Sequence, residues 1–188
     1  MIQERARVRI APIQCDIVWE DAPANHERFG DRITAATDAG ARLVLLPEMF
    51  ATGFSMATER VAEAEDGTTT TFLCRQATSH GIWAGGSFAC GSVGCPAPVN
   101  RFLVAAPDGS TAAYDKVHPS SPGGEADRYV AGDRPVTFQV DDLRVTPFVC
   151  DDLRTGDWFC PPRSRPTATS SSPTGRRLFR NGEGRPSG

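Results

Sequence analysis

Leu43-Val44-Leu45-Leu46-Pro47-Glu48-Met49-Phe50 is the stretch on which the fold turns. Four apolar residues in a row, stopped by Pro47, read as a short strand. A strand with no polar alternation is buried on both faces, and such strands lie in sheets covered by helices. Glu48 stands just past the strand's end, the edge where α/β sheets carry their sites.

The flanking sequence agrees. Upstream, residues 8–13 are a second short apolar run. Residues 25–39 carry Phe29, Ile33 and Ala36 at helical spacing, before a Gly40 stop. Downstream, residues 68–79 predict a helix with Phe72 and Leu73 on one face, and residues 82–89 a third strand. Residues 101–106 and 111–115 flank Pro107-Asp108-Gly109-Ser110, a hairpin signal. Residues 136–140 and 143–149 flank Asp141-Asp142 in the same way. Alternating strands and helices, followed by hairpins, predict an α/β protein with a mixed sheet.

A chain of 188 residues suits one domain with a real core. Its formal net charge of -3 gives no reason to expect a nucleic-acid or membrane-surface partner. The N-terminus meets charge at once, at Glu4, Arg5 and Arg7, so no signal-peptide stretch is read there. No apolar run approaches membrane-spanning length, and the expected location is cytoplasmic. The six cysteines are scattered, and free thiols are expected. Cys90 and Cys95 lack the second ligand pair that a metal site needs.

Three residues carry chemistry. Glu48 at the sheet edge is a candidate general base. Lys116, in Tyr114-Asp115-Lys116-Val117-His118-Pro119, is the chain's only lysine among 20 lysines and arginines. A chain that uses arginine everywhere else points to a need for a compact ammonium there. An ammonium beside a reacting carbonyl stabilises the developing oxyanion. Cys150, in Pro147-Phe148-Val149-Cys150-Asp151-Asp152-Leu153-Arg154, is expected at a strand's end before a polar turn. A nearby cation or helix start there lowers a thiol's pKa and makes it a nucleophile. His118 has no second histidine near it and is read as structural.

Glutamate, lysine and cysteine in this order, each expected at a strand's end, resemble the nitrilase or carbon–nitrogen hydrolase superfamily. Its Glu–Lys–Cys triad falls on Glu48, Lys116 and Cys150. The resemblance runs from Val8 to about Trp158. The stretch LLPEMFATGFSM looks like the branch containing omega-amidases, as do Gly85-Gly86-Ser87, Asn100 and Pro107-Asp108-Gly109. Glu125 fits the second glutamate found after the lysine in many members, and it would orient the lysine or the substrate. The resemblance implies a four-layer α-β-β-α sandwich and a homodimer or higher oligomer. It also implies hydrolysis of a small amide or nitrile through a cysteine thioester, without a metal or organic cofactor. A thiol redox function of Cys150 with Cys160 is the weakest alternative, since their spacing is not that of a redox pair.

The chain departs from the family in three places, one of them His118-Pro119-Ser120-Ser121 after the lysine, where an aromatic is common near the third position. Asp151 follows the cysteine where an aromatic or other non-acidic residue is usual, and its charge disfavours the thiolate. Residues 159–188, rich in Pro, Ser, Thr, Arg and Gly, predict a disordered tail after a hydrolase portion at residues 1–158. If the serines use TCN codons, regrouping the bases behind Thr169 to Ser172 gives three codons limited to Val, Leu, Ile or Phe. The codons after these permit the Ala-Asn-Trp-Pro-Ala of a family strand. A reading-frame shift near Phe159 to Pro162 is therefore expected, leaving the fold incomplete at its C-terminus. The alternative function is then an inactive fragment that only binds or dimerises.

Overall fold

The computed structural model describes residues 8–91 and 97–155. The chain divides into two units, residues 1–155 and 156–188, and all described residues belong to the first. The expected tail, the frame shift, Cys95 and Cys160 lie outside the described residues.

Five strands form one sheet: β1 (Ile10–Pro12), β2 (Leu43–Leu45), β3 (Trp83–Cys90), β4 (Val99–Ala105) and β5 (Thr111–Asp115), side by side in that order. β1, β2 and β3 run parallel, β4 pairs antiparallel with β3, and β5 pairs antiparallel with β4. The mixed sheet expected from the sequence is thus present. Helix α1 (Ala22–Asp38) crosses from β1 to β2. It begins three residues before the expected start at residue 25. Pro23 is tolerated in a first turn, and Asp21 caps it by accepting from the Ala24 N–H at 3.1 Å. The four-residue α2 (Thr58–Val61) and α3 (Thr68–His80) fill the connection to β3. Gly81 ends α3 at φ 63°, a left-handed conformation suited to glycine.

The period-2 alternation of the strands divides the core in two. On one face Val44, Ala84, Phe88 and Leu103 pack against Phe29 and Ile33 of α1 and Phe72 and Leu73 of α3. On the other, Leu43, Phe102, Val104 and Tyr114 pack against a second hairpin of β6 (Phe138–Val140) and β7 (Leu143–Val145). The described residues therefore form three of the four expected layers, in the order α-β-β.

β1, β2, β6 and β7 are all shorter than expected, β7 by the most. The strand predicted over residues 143–149 ends at Val145. Pro147 has no N–H to give a strand ladder, and residues 146–149 run on outside any ladder.

Candidate active site

The loop after β2 carries Glu48 and is fixed from two sides. Ser87 on β3 accepts the Met49 N–H on its hydroxyl at 3.0 Å and the Phe50 N–H on its carbonyl at 3.1 Å. Fully buried Asn25 on α1 donates to the Ala51 carbonyl at 2.8 Å. The tight turn puts Met49 at φ 52°. Glu48 is thereby held at the sheet's edge, with 22% of its side chain exposed.

Lys116 follows β5 directly and extends its pairing, donating its N–H to the Asn100 carbonyl at 2.9 Å. Its side chain is fully buried and its ammonium reaches two carboxylates. Nζ lies 2.8 Å from Glu48 Oε1 and 2.6 Å from Glu125 Oε2. Phe54 lies beneath it, with 5.6 Å from Nζ to the ring centroid. Burial alone lowers a lysine's pKa. The hydrogen bonds and charges of Glu125 and Glu48 outweigh that here and hold it above the ordinary value, so Lys116 is charged.

Glu125 sits in a short 3-10 turn (Glu125–Asp127) and is also fully buried. It accepts the Ser120 N–H at 2.6 Å as well as the lysine. Asn100 on β4 joins the two glutamates, its Nδ2 donating to Glu48 Oε1 at 2.9 Å and to Glu125 Oε1 at 2.8 Å. One cation and one amide thus bridge the same pair of carboxylates. Glu125, singled out in the sequence as a glutamate following the lysine, thus lies in contact with its ammonium.

Cys150 opens a second 3-10 turn (Cys150–Arg154) at φ 49°, a left-handed backbone rare for a residue with a Cβ. Cys150 is exposed, yet partial desolvation of its thiol raises the pKa, and the charge and hydrogen bond of Glu48 raise it further. Lys116 opposes this and Asp151 adds to it. The thiol therefore keeps its proton above the ordinary range, contrary to the lowered value expected from a nearby cation. The cation is present, but its ammonium is paired with both Glu48 and Glu125. Asp151 hydrogen-bonds Ser120 and pairs with Arg154 at 3.1 Å, and these contacts hold its carboxyl below the usual range.

Glu48 and Cys150 line one cavity of about 390 Å³, with Leu45, Phe102, Phe138 and Phe148 among its walls. Glu48, Lys116, Glu125 and Cys150 are thus brought together. Cys15, Cys74 and buried Cys90 are not part of the group. Among the described residues no cluster of three or more His, Cys, Asp or Glu is arranged to hold a metal ion. No helix among them is long and apolar enough to cross a membrane. Sequence reasoning missed the bridging role of Asn100 and the position of Asp152, which is buried and accepts four hydrogen bonds.

A family model described as carbon-nitrogen hydrolase matches residues 9–158. The omega-amidase YafV of Escherichia coli (strain K12) is 32% identical over 151 residues, which are 80% of this chain and 57% of that protein. A protein named as a nitrilase, from Pyrococcus abyssi, is 30% identical over 171 residues, 86% of this chain and 60% of that one. In structure, the chain is similar to XC1258 of Xanthomonas campestris, a CN-hydrolase superfamily protein with an arsenic adduct in its active site. That match has a TM-score of 0.75 at 34% identity, over 81% of this chain and 56% of the other. An amidase from Nesterenkonia sp. AN1, seen after Michael addition of acrylamide at its active-site cysteine, gives 0.67 at 25% identity over 77% and 57%. The chain spans little more than half the length of these relatives.

Proposed function

The chain belongs to the carbon–nitrogen hydrolase family, and on that premise we propose that it cleaves the carbon–nitrogen bond of a small amide through Cys150. The observation that carries this reading is the Lys116 ammonium bridging Glu48 and Glu125, with Glu48 and Cys150 facing one cavity. In the proposed cycle Glu48 takes the thiol proton as the sulfur attacks the amide carbon. Lys116 and the backbone N–H near position 151 stabilise the oxyanion. Glu48 returns the proton to the leaving nitrogen, ammonia departs, and a thioester remains. Glu48 then takes a proton from water, which attacks the thioester and frees the acid and the thiol. The raised pKa of Cys150 supports a base-assisted attack, because a thiol protonated at neutral pH needs a base in contact. The omega-amidases among the relatives support an omega-amide as substrate. Residues 1–158 are the hydrolase portion in this proposal.

A second reading is a chain that binds without turnover. Leu153, three residues past Cys150 and on the same cavity, is 60% exposed, and that apolar surface favours it. Ammonia release from short aliphatic and omega-amides tests both. Under the hydrolase reading the chain releases ammonia and Cys150→Ala does not. No release by the unaltered chain favours the second reading. Release that persists in Cys150→Ala overturns the first.

A further inference from the structure

Asp152 is an unusual carboxylate. It is almost wholly buried, at 1% exposure, and no cation is among the donors that fix it except through the ring of His118. One oxygen accepts the His118 N–H at 2.9 Å and faces His118 Nδ1 at 3.0 Å. The other accepts the Tyr114 hydroxyl at 2.7 Å and the Val149 N–H at 2.9 Å. Its own N–H donates to the Val149 carbonyl at 3.1 Å, so Val149 and Asp152 close a reciprocal loop around Cys150. Tyr114 and His118 lie two residues to either side of Lys116. A single buried carboxylate therefore joins the turn holding Cys150 to the segment holding Lys116.

We infer that Asp152 is a positioning residue: it fixes the left-handed turn at Cys150 and docks that turn on the Lys116 segment. The inference rests on the reading of Cys150 as the nucleophile paired with Glu48. A residue with a Cβ does not hold φ near 49° without support, and the loop closed by Asp152 supplies it. Four donors converge on two oxygens, so the site needs an acceptor-only group. An asparagine keeps one acceptor oxygen and turns an NH2 toward two donors, although its shape is nearly the same. Released from this anchor, the turn lets Cys150 leave the groups of other segments that face it, Glu48 and Lys116.

Alkylation of the native 188-residue chain by iodoacetamide tests this, with peptide mass spectrometry reading Cys150 apart from the other cysteines. In the unaltered chain the pH midpoint for Cys150 lies above that of an ordinary thiol. In Asp152→Asn the midpoint moves down, and the rate at neutral pH rises at least about threefold as the thiolate fraction grows. Tyr114→Phe removes one of the four donors and moves both in the same direction by less. Should Asp152→Asn fail to fold, Tyr114→Phe decides the matter alone. A lower melting temperature with an unmoved Cys150 midpoint, in the folded variants, overturns the inference, since it marks a role in stability only. Glu48→Gln separates the two levels. If it leaves the Cys150 profile unmoved, the pairing of Glu48 with Cys150 fails. If it moves the profile while Asp152→Asn and Tyr114→Phe do not, only the positioning role fails.

Discussion

Lys116 has no exposed side-chain surface and two carboxylates within 2.8 Å, so its charge is part of the structure. Removing one member of a buried ionic group leaves the others unpaired, which costs about 3 kcal/mol or more. Lys116→Met keeps the length and loses the charge, and chemical denaturation should show a loss of that size. A loss below about 1 kcal/mol contradicts the buried network. Part of this site is legible in the sequence. Glu48 is marked by Pro47 after an apolar run, and Lys116 by being the only lysine. Asn100 is marked only by resemblance and Asp152 not at all, and the role of each lies in partners brought from 52 and 38 residues away. The pKa of Cys150 also goes the other way from expectation, since sequence spacing reveals neither the desolvation of the thiol nor the approach of Glu48 to it.

At the scale of elements, β3 does more than its length suggests. Ser87 on it clamps the Glu48 loop, and two glycines precede that serine. A Cβ on Gly86 would lie 2.7 Å from Phe50 Cδ1 and 2.9 Å from Leu46 Cβ, against the loop that carries Glu48. Gly86→Ala should therefore cost about 1–3 kcal/mol by overpacking and displace Glu48 with it. Equilibrium unfolding checks the cost, and a neutral effect contradicts the packing of β3 under Phe50. The strands and long helices are readable because apolar periodicity reports burial directly. The end of β7 is not, since residues 146–149 stay extended after Pro147 interrupts the ladder. The four-residue α2 is too short to show a period.

Across the molecule, several buried groups hold protons more tightly folded than unfolded. Burial first, then the hydrogen bond to Asp152, raises the Tyr114 phenol above its ordinary 10.0. Burial and the charge of Glu125 do the same for Tyr129, and the two glutamates do so for Lys116, ordinarily 10.5. Because these folded-state values are raised, their contribution to stability is whole below the ordinary values. It is lost as the pH climbs through the raised ones. The melting temperature should therefore hold level up to about pH 9.5 and fall increasingly above about pH 10. A melting temperature unchanged to about pH 11.5 contradicts the buried placement of these groups.

In the proposed cycle the Cys150 sulfur receives the acyl group. Acid quenching of the chain during incubation with a short aliphatic amide, followed by peptide mass spectrometry, examines that step directly. The expected result is the acyl mass on the peptide containing Cys150, absent in Cys150→Ala. An acyl mass carried by another residue, or none on that peptide at any quench time, contradicts it.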